Sequence, residues 1–240
     1  MPRALLISIA CLGLALACGA NAADTTRGDR AQERAALKPD ADWWSLMDTG
    51  PFISDTMLKF GKKGDLGVLK GIAMKVGSEE SVSVVFDTEL MRMVAGFEGQ
   101  VTFAGTPWDR QHSGNTFMPE DREAYLFLNS DSPGWSANGD WSDPRETKQG
   151  PLPRELAKYR GLYRHGDKTI LSYTVGDAAI LEMPTLNQGR LTRVFELGPR
   201  DIALQLLVDD RSPKSRESGD LPDVQHYLRG GPDGAKLEHL

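Results

Sequence analysis

The chain has 240 residues, 40% of them hydrophobic and 26% charged, with a formal net charge of -6. That length can bury one sizeable core, the composition is that of a globular domain rather than a disordered one, and the acidity leaves no basic field for nucleic acid or anionic lipid. Both cysteines, Cys11 and Cys18, lie near the amino terminus. The body of the chain therefore excludes disulfides, thiolate metal sites, a cysteine nucleophile and covalent haem attachment.

Residues 1–22 read as an export signal. Arg3 supplies a basic start, Ala4 to Ala17 is apolar apart from Ser8 and Gly13, and Ala20-Asn21-Ala22 offers an A-x-A cleavage site. The apolar run is short for a bilayer span, so cleavage after Ala22 and a periplasmic or secreted mature chain are expected. Ala15-Leu16-Ala17-Cys18 loosely resembles a lipoprotein box, with Ala15 standing where leucine is usual. Membrane attachment through a lipidated Cys18 is the alternative. Residues 23–42 are charged and poor in large apolar side chains, which reads as a flexible leader.

Order is expected from Trp43-Trp44-Ser45-Leu46-Met47 onward, within a β domain over residues 43–208. The tryptophan pair reads as a plug on the core edge or as a sugar-stacking platform. Gly50-Pro51 turns into a short strand. Ile72, Met74 and Val76 alternate with polar or small residues, and Val82, Val84 and Phe86 repeat the pattern after a Gly77-Ser78 break. That spacing predicts two half-buried strands in a hairpin. Thr88 to Gly96 fits a helical turn on spacing or a third strand on alternation, and the strand is preferred because Gly99 to Phe103 reads as its return partner.

Residues 104–158 interrupt the β pattern. Six prolines and several glycines leave one strand-like piece, Ala124 to Leu128. Long loops in compact domains are uncommon, and Trp108, Trp135 and Trp141 argue for burial, so the segment is expected to be an ordered cap over one end of a sheet. Strands then resume at Tyr159 to Arg164, Thr169 to Val175, Ala179 to Met183, Thr192 to Leu197 and Ile202 to Val208, the last two as a pair. Glycine and aspartate turns separate several of these strands. Residues 209–240 read as a linker followed by the start of a further β element near Gln225 to Leu228. The expected fold is all-β, an antiparallel β-sandwich or barrel-like domain with a long ordered loop cap. No convincing fixed-period repeat is present, which argues against a whole propeller in this length.

Several of these segments form a set. Gly50-Pro51-Phe52-Ile53-Ser54, Phe86-Asp87-Thr88-Glu89-Leu90-Met91-Arg92-Met93, Trp141-Ser142-Asp143-Pro144-Arg145, Gly150-Pro151-Leu152-Pro153 and Lys158-Tyr159-Arg160-Gly161-Leu162-Tyr163 occur in order. Over roughly residues 48–200 the chain resembles an uncharacterised exported bacterial domain of unknown function. That family stands at the front of large proteins continuing into β-propeller sugar-dehydrogenase-like and c-type haem modules. The resemblance implies export and redox neighbours as partners, and it implies no reaction. No C-x-x-C-H is present, so no haem cofactor is expected in this chain.

Three groups of side chains are candidates for ligand binding. Asp87, Glu89 and Arg92 follow a buried strand; on an extended backbone Asp87 and Glu89 would share a face, as paired carboxylates must to flank a glycosidic bond. The alternative is an aspartate capping a turn while Arg92 pairs with Glu89. Trp108, Asp109 and His112 offer a ring face, a carboxylate and an imidazole within five residues, suited to stacking and hydrogen-bonding a sugar or to plain loop packing. Trp135 and Trp141 line a groove or staple the loop. Asn129 to Asp140 begins like a calcium loop but has Pro133 at a ligand position and Asp140 where glutamate is needed, so no metal is expected.

No catalytic residue stands out, because no activated serine, phosphate loop or zinc motif is present. The reading is a non-catalytic exported β domain binding a carbohydrate or a partner redox module through the cap. Its rivals are a glycan-active hydrolase using Asp or Glu with His, and a structural docking domain of a larger secreted dehydrogenase-like protein.

Overall fold

A computed structural model of the chain describes residues 47–61, 66–77, 82–103, 105, 115–187 and 189–209, together with the strand backbones of 226–231 and 234–239. The architecture is all-β. Strands β1 (Phe52–Leu58), β2 (Leu66–Val76), β3 (Val82–Asp87), β4 (Arg92–Glu98), β5 (Thr102–Phe103), β6 (Thr116–Phe117) and β7 (Tyr125–Leu128) make a seven-stranded sheet in the order β5-β6-β1-β2-β3-β4-β7. Strands β9 (Ala157–His165), β10 (Lys168–Val175), β11 (Ala178–Asn187) and β12 (Arg190–Leu197) form an antiparallel meander. A third sheet, ordered β15-β14-β13-β8, holds β8 (Trp135–Ser136), β13 (Leu204–Leu207), β14 (His226–Gly231) and β15 (Gly234–His239). The sheets stack as a sandwich, and no sheet closes into a barrel among the described residues.

The alternation read from sequence explains the main core. Ile72, Met74 and Val76 of β2 and Val84 and Phe86 of β3 face Leu171, Tyr173 and Val175 of β10 and Ile180 of β11. Removing one such side chain from water contributes about 1.5–3 kcal/mol. The other face of the large sheet is buried too: Ala73, Val85, Val94 and Phe97 pack with Met57, Phe60, Met118 and Tyr125 in a second cluster. Strand β3 is consequently buried along all six residues, which is why Val84-Val85-Phe86 runs apolar without alternation. The β9–β10 and β10–β11 hairpins turn on two residues each, Gly166-Asp167 and Gly176-Asp177, with the glycine at positive φ as the right-handed strand twist requires.

Three expected pairings differ. Thr88 to Val94 is not one strand: residues 88–91 turn, and β4 begins at Arg92. Asp87 causes the change, because its Oδ1 accepts the backbone N–H of Glu89 at 2.8 Å and of Leu90 at 3.3 Å, and Met91 adopts φ 49°. Such local side-chain bonds compete with the strand ladder. Residues 102–103 are not the return partner of this segment; β5 pairs with β6, while β4 pairs with β7. Lastly, β12 and β13 are not a pair. Gly198 N–H still bonds Ala179 O at 2.7 Å, then Pro199, lacking an N–H, follows, and the chain crosses to join β8 and β14.

The 104–158 segment is only partly loop. It supplies β6 and β7 to the large sheet and β8 to the third; residues 129–134 run as ordered irregular chain from β7 to β8, and 137–156 from β8 to β9.

Candidate functional site

The 87–91 turn is the point to which those irregular segments are fastened. Leu90 O accepts Gly134 N–H at 3.0 Å, and Glu89 O accepts Leu152 N–H at 3.0 Å. Gly134 is required there, since a Cβ at this position would lie 2.1 Å from Met91 O. Side chains reinforce the attachment. Arg92, buried, donates to Asp87 Oδ2 at 3.3 Å, Asn129 O at 3.3 Å, Gly67 O at 3.4 Å and Asp131 Oδ1 at 2.8 Å, and also to Ser130 O. Asn129 Nδ2 in turn donates to Met93 O and Val208 O. Glu89, also buried, lies 3.5 Å from Lys70 Nζ and 3.7 Å from Arg145 Nη1. Arg145 makes a fork to both oxygens of Asp143 and donates to Gly150 O.

This arrangement bears directly on the acid–base reading. Asp87 and Glu89 do not share a strand face, because Glu89 sits in the turn, and each carboxylate is buried against a guanidinium. A carboxylate so placed ties loop segments to the turn and is largely shielded from solvent. Asp143 behaves likewise. Burial pulls its carboxyl upward, but the hydrogen bonds from Arg145 and the charges of Arg145 and Lys148 outweigh that and hold it below the ordinary value of 3.8. The Arg145 guanidinium is pushed up, chiefly by its hydrogen bonds to Asp143.

Beside the turn lies an open groove of about 360 Å³, at the low end of the roughly 300–1,000 Å³ typical of ligand sites. Leu90 and Met91 of the turn form one wall; Trp135, Leu152, Ala157, Val175 and Leu204 line the interior. Leu156 and Ile202 remain 46% and 52% exposed where it meets solvent. Among the described residues, Asp140 and Glu155 are the only ionisable side chains in the lining. The left-handed backbone of buried Met91 costs on the order of 1–3 kcal/mol for a non-glycine residue, and the groove wall is where that strain falls.

Trp135 is only 7% exposed. Its indole N–H donates to Tyr173 Oη at 3.2 Å, and its ring meets Phe195 edge-on at 5.8 Å. Tyr173 Oη donates to Glu182 Oε2 at 2.7 Å, and Arg193 Nε donates to Glu182 Oε1 at 2.6 Å. Burial and the Glu182 charge push the Tyr173 phenol well above its ordinary value, so it stays a neutral donor. Trp135 thus anchors the groove to the core and leaves little of its ring exposed. Trp141 is half-buried in the 137–156 segment. Trp108, Asp109 and His112 lie outside the described residues. Among those described, the structure brings Trp135 into the groove and places Asp87, Glu89 and Arg92 behind its wall. Leu156 and Ile202 were not singled out as site residues by sequence reasoning, since a single aliphatic side chain, whether in a polar stretch or at the start of an apolar strand, carries no motif. No group of three or more His, Cys, Asp or Glu suited to a metal occurs among the described residues.

A second opening, about 440 Å³, lies at the β9–β10 turn between Asp48, Lys75, Arg164 and Asp167. It is polar, and Lys75 Nζ is already 3.4 Å from Asp48 Oδ1.

The fold and groove define an all-β sandwich with a concave aliphatic surface whose neighbouring buried charges are structural. The model of a family described as "Domain of unknown function (DUF6797)" matches residues 84–182, from within β3 to the middle of β11. No curated protein and no solved structure matches the chain.

Proposed function

We propose that this chain is an exported, non-catalytic docking module that holds a segment of a partner protein in the groove beside the 87–91 turn. The observation that carries the reading is the groove's exposed surface, which is aliphatic at Leu156 and Ile202 while the Trp135 ring is turned into the core. Sugars stack on open aromatic faces, and the one aromatic ring in the described lining, Trp135, is only 7% exposed; an aliphatic recess suits a protein side chain. Export rests on the 1–22 signal pattern, and attachment through Cys18 remains the alternative route to the membrane. The family resemblance makes a β-propeller or c-type haem module the partner to try first. A glycan hydrolase built on Asp87 and Glu89 is disfavoured because both are engaged in ion pairs behind the wall; one built on Asp109 and His112 lies outside the described residues.

Panning a random peptide display library against the mature chain, with a Leu156→Ser, Ile202→Ser double variant as counter-screen, tests this. The expected result is enriched peptides retained by the wild type and lost by the variant. Oligosaccharide binding on a glycan array that survives in the variant, with no groove-dependent peptide, would overturn it.

A further inference from the structure

The lining of the groove is one-sided in charge. Its aliphatic surface is bordered by two exposed carboxylates, Asp140 and Glu155, and no cationic side chain among the described residues lines it. Two cations on the same stretch of chain are engaged elsewhere, and a third, Arg154, is exposed but does not line the groove. Arg145 is occupied by Asp143 and Gly150 O, and Lys148 Nζ donates to Asp143 O. Asp140 accepts the Ser142 backbone N–H at 2.9 Å, and its hydrogen bonds with Ser142 hold its carboxyl below 3.8, so it is ionised at neutral pH.

Resting on the docking reading, we infer that the occupant of this groove is a protein segment bearing an aliphatic side chain flanked by lysine or arginine. The aliphatic side chain covers Leu156 and Ile202, and the flanking cations meet Asp140 and Glu155. Complementary rim charge selects among partners that could all satisfy the apolar recess. An acidic or neutral segment of equal hydrophobicity would leave those carboxylates without a counter-charge.

Three fluorescein-labelled peptides separate the possibilities: a Lys-Ile-Ser-Leu-Lys core, its Glu-Ile-Ser-Leu-Glu counterpart, and a serine-flanked version. Anisotropy titrations use the mature chain, an Asp140→Asn, Glu155→Gln variant, and an Asp177→Asn, Glu196→Gln control that removes the same charge from exposed positions outside the groove. Asparagine at 140 retains an oxygen for the Ser142 contact, and thermal melts check that every variant is folded. The lysine peptide should bind tightest. It should lose about three- to thirtyfold in the rim variant, as expected for two exposed ion pairs, lose less in the control, and weaken as salt is raised. If all three peptides bind alike and all are lost in the Leu156→Ser, Ile202→Ser variant, the charge inference fails while the docking reading stands. If the control weakens lysine-peptide binding as much as the rim variant does, net charge is responsible and the inference fails. If none of the three binds, the inference is overturned, and the display experiment decides the docking reading separately.

Discussion

Replacing Arg92 with methionine separates a structural role for the Asp87–Glu89–Arg92 group from a catalytic one. The guanidinium is 2% exposed and serves two carboxylates and three backbone carbonyls drawn from residues 67, 87 and 129–131. Methionine fills much of the volume but donates nothing, so Asp87 is left as a buried carboxylate without its cation. Removing one partner of such a pair costs about 3–5 kcal/mol. For a domain of this size each kcal/mol lowers Tm by about 2–4 °C, so a fall of about 6–20 °C is expected. Asp131→Asn touches the same guanidinium from a side chain that is 67% exposed, and should cost no more than about 1 kcal/mol. Calorimetry and urea titration followed by tryptophan fluorescence measure both. An Arg92→Met protein melting within about 2 °C of wild type would refute the reasoning. Lost turnover in that same stable protein would restore the catalytic reading.

Gly134→Ala should lower the urea midpoint by about 1–3 kcal/mol equivalent or more, because the new methyl would meet backbone atoms, Met91 O at 2.1 Å and Arg92 Cα at 2.6 Å, which cannot swing aside; an unchanged midpoint would mean the two segments do not approach so closely. Asp143 carries an acid-side prediction: its carboxyl is held below 3.8 in the folded chain, so the unfolded chain takes up the proton first as pH falls. Its contribution is complete above that value and is lost below it. Asp143→Asn should be less stable at neutral pH and show a shallower acid limb than wild type, and parallel limbs would contradict the assignment.

The β hairpins were legible because period-two alternation and Gly-Asp turns are local signals, as at Leu171, Tyr173 and Val175 before Gly176-Asp177. The 88–94 segment misled for a physical reason. Leu90, Met91 and Met93 are all buried, as strand residues would be, but the Asp87 side chain captures two backbone donors and breaks the ladder. Pairings across long separations, β4 with β7 and β13 with β8, left no local trace, because partner choice is set by the whole sheet. The groove was half visible. Trp135 marked the segment, whereas Leu156 and Ile202 gained meaning only when residues forty-odd positions apart met at one surface.

The stretch recognised by the family model opens in the middle of β3 and closes before the end of β11. Excised at those limits, it would forfeit Ile72 and Met74 from the inner core and strip the ladder that β2 provides along β3. A naked, apolar margin would then face water, the situation that drives strands to pair with strangers. Expression boundaries for this domain therefore belong outside the recognised limits, with β1 and β2 kept on one side and β12 and β13 on the other.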